Sequence, residues 1–299
     1  MTDYTTAATA IRDESRTATD VPRSTAAPAV TAPHLHAPSR LREVRTMVWR
    51  NLKHIRRQPE MLADVTIQPI MFVLLFAFVF GSSIQTPGSG YREWLLPGIM
   101  AQTMAFSSFV VAIGLTADIG RGIVDRFRSL PISRSSVLVG RSISSLLHSS
   151  IGIVVMSVTG LAIGWRIHEG FAKAVLAFGL LLLFGFAMIW LGILVGSKFT
   201  SVEGVNGFMF TTMFPITFLA NTFAPTDNMT PWLRTIAEWN PISALVQALR
   251  ELWGNAPAAG PDAAWPLQHP VLVTVVWSVG LAIVFAPLAI RAFVKRTED

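Results

Sequence analysis

The chain has no cysteine, which excludes disulfides, thiolate metal sites and cysteine nucleophiles. Charge is scarce as well. Asp, Glu, Lys and Arg make up 14% of the residues, against about a quarter in soluble domains. No Walker A sequence occurs, so the chain itself carries no nucleotide-hydrolysing loop. Neither H-E-x-x-H nor G-x-S-x-G is present, and no catalytic or metal-ligating constellation is expected. The first residues contain no apolar run of signal-peptide length, so no secretory leader is expected.

What remains is apolar: 52% of the 299 residues are hydrophobic, the composition of an all-α membrane protein. Residues 1–39 are rich in Thr, Ala, Ser and Pro and are expected to be a disordered tail. His34 and His36 within it are too few for a metal site. From residue 40 to 299 the chain reads as one membrane domain. Leu41, Val44, Val48, Leu52 and Ile55 fall on one helical face, with Arg42, Arg45, Lys53 and Arg56 around it and Trp49 at a headgroup boundary. That pattern fits a helix lying in the membrane interface; a soluble partner-binding helix would look similar.

Apolar segments follow at residues 65–81, 95–117, 142–163, 172–195, 205–220 and 271–290. Each is compared with the ~20 residues a helix needs to cross a bilayer; the fifth is short and contains Pro215. Six spans put both termini on one side. The flank before the first span, the 120–134 loop, Lys198 and the end of the chain (Arg291, Lys295, Arg296) hold most of the basic residues. The opposite loops hold only Arg92, Arg166, Lys173, Arg234 and Arg250. The positive-inside rule then places both termini and the 120–134 loop in the cytosol, with the chain a multi-pass protein of the plasma (inner) membrane. The same rule accounts for the net charge of +6 without nucleic acid as a partner.

Two connecting segments carry more pattern than a linker needs. In the 120–134 loop, Ile123, Phe127 and Leu130 lie at i, i+4 and i+7, with Asp125, Arg126 and Arg128 over the rest of the surface and Pro131 ending the helix. Such a helix is either the grip of a soluble motor on a membrane channel or a charged loop that only fixes topology. Between the fifth and sixth spans, Thr230-Pro231 and Asn240-Pro241 each read as a cap followed by proline at the first helical position. The short amphipathic helices they start either lie on the outer surface or dip back into the bilayer as a lid.

The middles of the six segments hold no Asp, Glu, Lys or Arg. An ion-driven transporter ordinarily keeps such groups within the membrane, so the energy for any transport is expected from a partner. His148 is the one titratable side chain well inside a segment, and a hydrogen bond between helices accounts for it more simply than a proton relay. Met100, Met104, Phe106 and Phe109 on the second segment, and Met209, Phe210, Met213, Phe214 and Phe218 on the fifth, offer an adaptable apolar surface for a bulky amphipathic substrate. Lipid contact or helix packing would use the same residues.

The run Asp125-Arg126-Phe127-Arg128-Ser129-Leu130-Pro131-Ile132-Ser133-Arg134, followed by Val139-Gly140-Arg141, closely resembles the cytosolic loop of ABC-2 type transporter permeases, most nearly the daunorubicin-resistance type of actinobacteria. Asn240-Pro241-Ile242-Ser243 with Ala248-Leu249-Arg250 resembles the outer segment of that family. The resemblance covers about residues 40–295. It implies a six-span permease subunit with an N-terminal interfacial helix, a cytosolic coupling helix formed by the 120–134 loop, and a second contact at residues 197–203. Two such subunits would pair, as homodimer or heterodimer, and each would engage a separate ABC ATPase that holds ATP and Mg; the permease itself holds no cofactor and is no enzyme. The expected function is export of an amphipathic drug-like or lipidic compound. An ion-coupled secondary multidrug transporter and a non-transport membrane scaffold are the alternatives.

Overall fold

The computed structural model describes residues 59–79, 81, 84, 86, 90–122, 134–227 and 229–296. These residues form helices α1 Pro59–Val79, α2 Tyr91–Gly120, α3 Arg134–Ala162, α4 Phe171–Lys198, α5 Val202–Phe218, α6 Pro231–Glu238, α7 Pro241–Trp253, α8 Trp265–Gln268 and α9 Pro270–Arg296, and no strand. The tail at 1–39, the interfacial helix expected at 41–55 and the coupling residues Ile123, Asp125, Arg126, Phe127, Arg128, Leu130 and Pro131 lie outside the described residues.

Four helices, α2, α3, α4 and α9, are long and apolar enough to cross a membrane. The other two expected spans come out differently. Helix α1 begins at Pro59, includes Glu60 and Asp64, and is apolar only over Ile67–Val79. Helix α5 has 17 residues, about 25 Å at 1.5 Å per residue, against a hydrocarbon core of ~30 Å. Helix α3 starts at Arg134 rather than at 142. Apolarity marks where a helix meets lipid, and a helix runs on through polar turns beyond that depth.

Helices α2 and α4 form the centre. Helix α4 lies between α2 and α9, α5 lies along α2, and α3 contacts α1, α2 and α4. In lipid, apolar side chains gain little by leaving one another's company for a neighbouring helix, so close backbone approach decides the packing. Gly192 and Gly196 of α4 supply it. A Cβ on Gly192 would stand 2.2 Å from the carbonyl oxygen of Ser108, and one on Gly196 would stand 2.6 Å from that of Ala112. Thr116 Oγ1 closes the seam by donating to the Gly196 carbonyl at 3.0 Å. Several other hydroxyls in these helices are satisfied locally. Ser107, Ser108, Ser144 and Ser150 donate to carbonyls three or four residues back, which removes the cost of a bare donor in an apolar setting.

The seam fixes direction. Helices α2 and α4 end together, α3 and α5 begin there, and α9 ends there; this end is called the base. The opposite end, the crown, holds the starts of α2, α4 and α9, the end of α5, and helices α6 to α8. Phe72 and Phe76 of α1 meet Phe223 at the crown, so α1 also runs from base to crown.

Candidate functional site

Two clusters of polar contacts stand at the two ends of the bundle. At the base, the Nη1 of Arg141 on α3 donates to Oδ2 of Asp118 on α2. This ion pair ties together the two helices that flank the 123–133 segment. Beside it, Nη1 of Arg296 at the end of α9 donates to the carbonyls of Gly196 (2.9 Å), Ser197 (3.2 Å) and Phe199. Those are orphan acceptors at the C-terminus of α4, where a cation is also favoured by the helix dipole. The chain then turns at once into α5, whose N-cap Ser201 accepts from the Gly204 N–H at 3.0 Å.

At the crown the organising residue is Arg250. The charge counts placed it in an outer loop; the structure instead buries it in α7, at 1% exposure. Its guanidinium carbon lies over the Trp94 ring, 3.4 Å from the centroid. Its Nε donates to the Trp94 carbonyl at 2.9 Å, and its Nη2 to the carbonyls of Asn221 (2.9 Å) and Thr222 (3.3 Å). These three acceptors are backbone carbonyls, two of them just past the C-terminus of α5, where the dipole is negative. Two more bonds hold α7 to the same place. Asn240 Nδ2 donates to the Ile216 carbonyl at 2.6 Å, and the Asn221 N–H donates to Ser243 Oγ at 3.0 Å.

Helix α7 is built to stay put. Asn240 Oδ1 caps it by accepting from the Ile242 N–H at 2.9 Å, with Pro241 at the first position. At its other end Gly254 adopts φ +74°, and the Asn255 N–H reaches back to the Arg250 carbonyl at 2.8 Å, the left-handed close that glycine allows. Asn255 Oδ1 then accepts from Trp165 Nε1 at 2.8 Å, tying the α3–α4 connection in. Nearly every residue of α7 is buried by α2, α4 and α9. The second expected helix start is therefore realised with its side-chain cap. The first is realised at Pro231, although Thr230 makes no side-chain cap bond. Next to the end of α7, Glu169 and Glu251 line a cavity of about 400 Å³; burial pushes the Glu251 carboxyl up from its ordinary value, and bonds from Gln247 and the Ala259 N–H partly offset that.

The expected substrate-path residues divide. Met100, Met104, Met209 and Met213 are buried in the protein's own core. Met213 Sδ accepts from Ser108 Oγ at 3.7 Å, and Met104 packs against Gly185. Phe106 is half-buried beside Phe109. Phe210 and Phe214 face outward and stack at 5.1 Å. They open a ladder that continues through Phe218 (4.2 Å), Phe223 (5.1 Å) and Phe76 (4.7 Å) to Phe72 (4.8 Å). The spacing of 210, 214 and 218 was visible in the sequence; the junction to α1 through Phe223 was not. His148 is half-buried on α3.

Residues 42–252 match the ABC-2 type transporter family. The chain is 30% identical over 248 residues to the daunorubicin resistance ABC transporter permease protein DrrB1 of Streptomyces coeruleorubidus, covering 83% of this chain and 84% of that one. It is 26% identical over 230 residues to the probable doxorubicin resistance ABC transporter permease protein DrrC of Mycobacterium tuberculosis, covering 75% and 78%. To the putative transport permease ycf38 of Cyanophora paradoxa it is 23% identical over 220 residues, covering 72% and 76%.

Proposed function

The chain belongs to the ABC-2 type transporter family, and we propose that it is the membrane permease subunit of an ATP-driven exporter carrying an amphipathic drug-like or lipidic compound out of the cell. Its partner is a separate ABC ATPase, which binds ATP and Mg, and a second permease subunit completes the channel. Helices α1 and α5 act as the remaining two of six spans, since both run between the same two ends as the four long helices. In this reading the permease domain is residues 40–299, and residues 1–39 are not part of it.

The observation that carries this reading is the clamp at the base. Asp118 and Arg141 join α2 to α3 at the mouth of the 123–133 segment, so a push on that segment reaches both helices. Helix α2 is the wall on which α5 and α7 rest, so the push continues to the crown. Ile123, Phe127 and Leu130 are the stripe that enters the ATPase, and Asp125, Arg126, Arg128 and Pro131 shape it. The exposed ladder of Phe210, Phe214 and Phe218 faces the second subunit and borders the substrate path, with Met209 and Met213 supporting it from behind and Met100, Met104 and Phe106 backing α2.

Phe127→Ala removes the largest anchor of that stripe. Truncating an aromatic hot spot costs roughly 2 kcal/mol, about a 30-fold loss of affinity. The measurement is co-purification of the ATPase together with substrate-stimulated ATP hydrolysis in lipid vesicles. If both stay normal while the permease inserts normally, the segment is only a topology signal and the coupling role fails.

The orientation has its own test. With the base in the cytosol, reporter fusions at Asp299 and near Pro87 report opposite sides of the membrane. Finding both on one side overturns the six-span arrangement.

A further inference from the structure

Helix α6 is amphipathic in the reverse sense. Trp232, Ile236 and Trp239, at i, i+4 and i+7, are 68%, 50% and 54% exposed. Of its two charged residues, Glu238 turns inward, and Arg234, about one-third exposed, lies between it and Asp227. Arg234 Nε donates to Glu238 Oε1 at 2.6 Å. Glu238, only 5% exposed, also accepts from Thr226 Oγ1 at 3.3 Å and, through Oε2, from the Ala264 N–H at 3.2 Å. A helix whose other face met water would turn the ion pair outward and the tryptophans in.

The last of those bonds sets the level of α6. It fixes the end of the helix beside residue 264, directly before Trp265, which is 52% exposed. Helix α9, one of the four long enough to cross a membrane, begins at Pro270. Its outward residues Leu272, Val276 and Ile283 are exposed, so an apolar band runs down α9 from the place where the tryptophans stand. Tryptophan is enriched at that depth because its ring is apolar while its N–H seeks water or headgroups. Phe171, exposed at the start of α4 at the same end, continues the belt.

We propose that α6 and Trp265 form an anchor in the lipid headgroup layer at the crown, with Trp232, Ile236 and Trp239 immersed in the boundary between headgroups and acyl chains. The anchor bears on α7. Only Trp239 and Asn240 separate the two helices, and Asn240 is bonded at both ends of its amide. There is no slack, so any displacement of α7 drags α6 through the lipid layer. This last consequence rests on the transport reading; the lipid contact does not.

The cysteine-free chain suits a direct test. Trp232→Cys, Ile236→Cys and Trp239→Cys, with Asp262→Cys as the loop reference, are each spin-labelled in the full chain reconstituted into phosphatidylcholine–phosphatidylglycerol vesicles. Collision rates with oxygen, which concentrates in lipid, and with a water-soluble nickel chelate are then compared. The expected result is an oxygen-to-chelate ratio shifted upward at 232, 236 and 239 relative to 262. Chelate collisions as frequent as at 262 mean a water-facing stripe; shielding from both reagents means that a protein, such as a second subunit, covers it. Either result overturns the proposal. If a cysteine variant fails to accumulate, quenching by brominated lipids is read on the native protein and on Trp232→Phe and Trp239→Phe; quenching that does not fall in either variant overturns the proposal equally. No ATPase or substrate enters these measurements, so they succeed or fail independently of export.

Discussion

Arg250→Met lowers the unfolding midpoint of the purified protein more than any substitution on its exposed faces. The side chain serves three backbone carbonyls, those of Trp94, Asn221 and Thr222, from a fully buried position. Methionine fills much of the volume but donates to none of them. Each buried carbonyl left without its donor costs about 1–3 kcal/mol, and removing the buried charge gives part of that back, so the three together cost about 3–5 kcal/mol. At roughly 2–4 °C per kcal/mol for a chain of this class, the midpoint falls by about 10 °C. Arg250→Lys falls between the two. It keeps the charge, but an ammonium cannot lie over Trp94 while reaching carbonyls on two sides. Thermal unfolding followed by intrinsic fluorescence in detergent reads both variants. An unchanged midpoint for Arg250→Met means that α7 is held by its apolar contacts alone, and the role assigned to the arginine is wrong. Insertion is expected to survive, since α7 is not among the four long apolar helices.

Gly192→Val has the other large effect. The new Cβ falls 2.2 Å from the Ser108 carbonyl oxygen and 2.9 Å from its carbon. Both are backbone atoms of the central helix, so no rotamer relieves the clash. Helices α2 and α4 must separate, losing the contact at Gly196 and the Thr116 bond with it. Overpacking in a soluble core costs about 1–3 kcal/mol and at times more; here the whole seam moves, and little folded protein is expected. Gly179→Ala, on the same helix with open space around its Cα, is the control and is expected to be harmless. Membrane abundance and elution profile of fluorescent fusions separate the two. Equal abundance of both variants would mean that the seam tolerates a looser fit than the geometry indicates.

These two sites show what a sequence of this kind discloses and what it withholds. Long apolar runs announced α2, α3, α4 and α9, because a helix in lipid must be apolar over most of its length. Proline after Thr230 and after Asn240 announced the starts of α6 and α7, because capping is written in neighbouring residues. Arg250 was legible only as a charge. Its burial depends on Trp94, 156 residues away in sequence, and on carbonyls that every residue carries alike. The methionines and phenylalanines of α2 and α5 were legible as apolar, yet their division into core and surface was not. Lipid and protein interior are both apolar, so hydropathy cannot tell which one a side chain meets. Helix α6 shows the same limit from the other direction. Its period gives a helix, while the sense of its faces is reversed by what surrounds it.

The order in which the ribosome delivers the chain gives Arg296 a further significance. The carbonyls of Gly196 and Ser197 and their donor lie about 100 residues apart. At about 5–20 residues per second, roughly 5–20 s of synthesis separate the acceptors from the group that closes them. Throughout that interval the Gly196 carbonyl has only the Thr116 hydroxyl of α2, and the Ser197 carbonyl is left to water or lipid headgroups. The central pair of helices can assemble early, but the base is sealed late, once α9 has emerged and entered the bilayer. The nascent protein therefore spends its youth with an open base, at the end where its partner ATPase is proposed to dock.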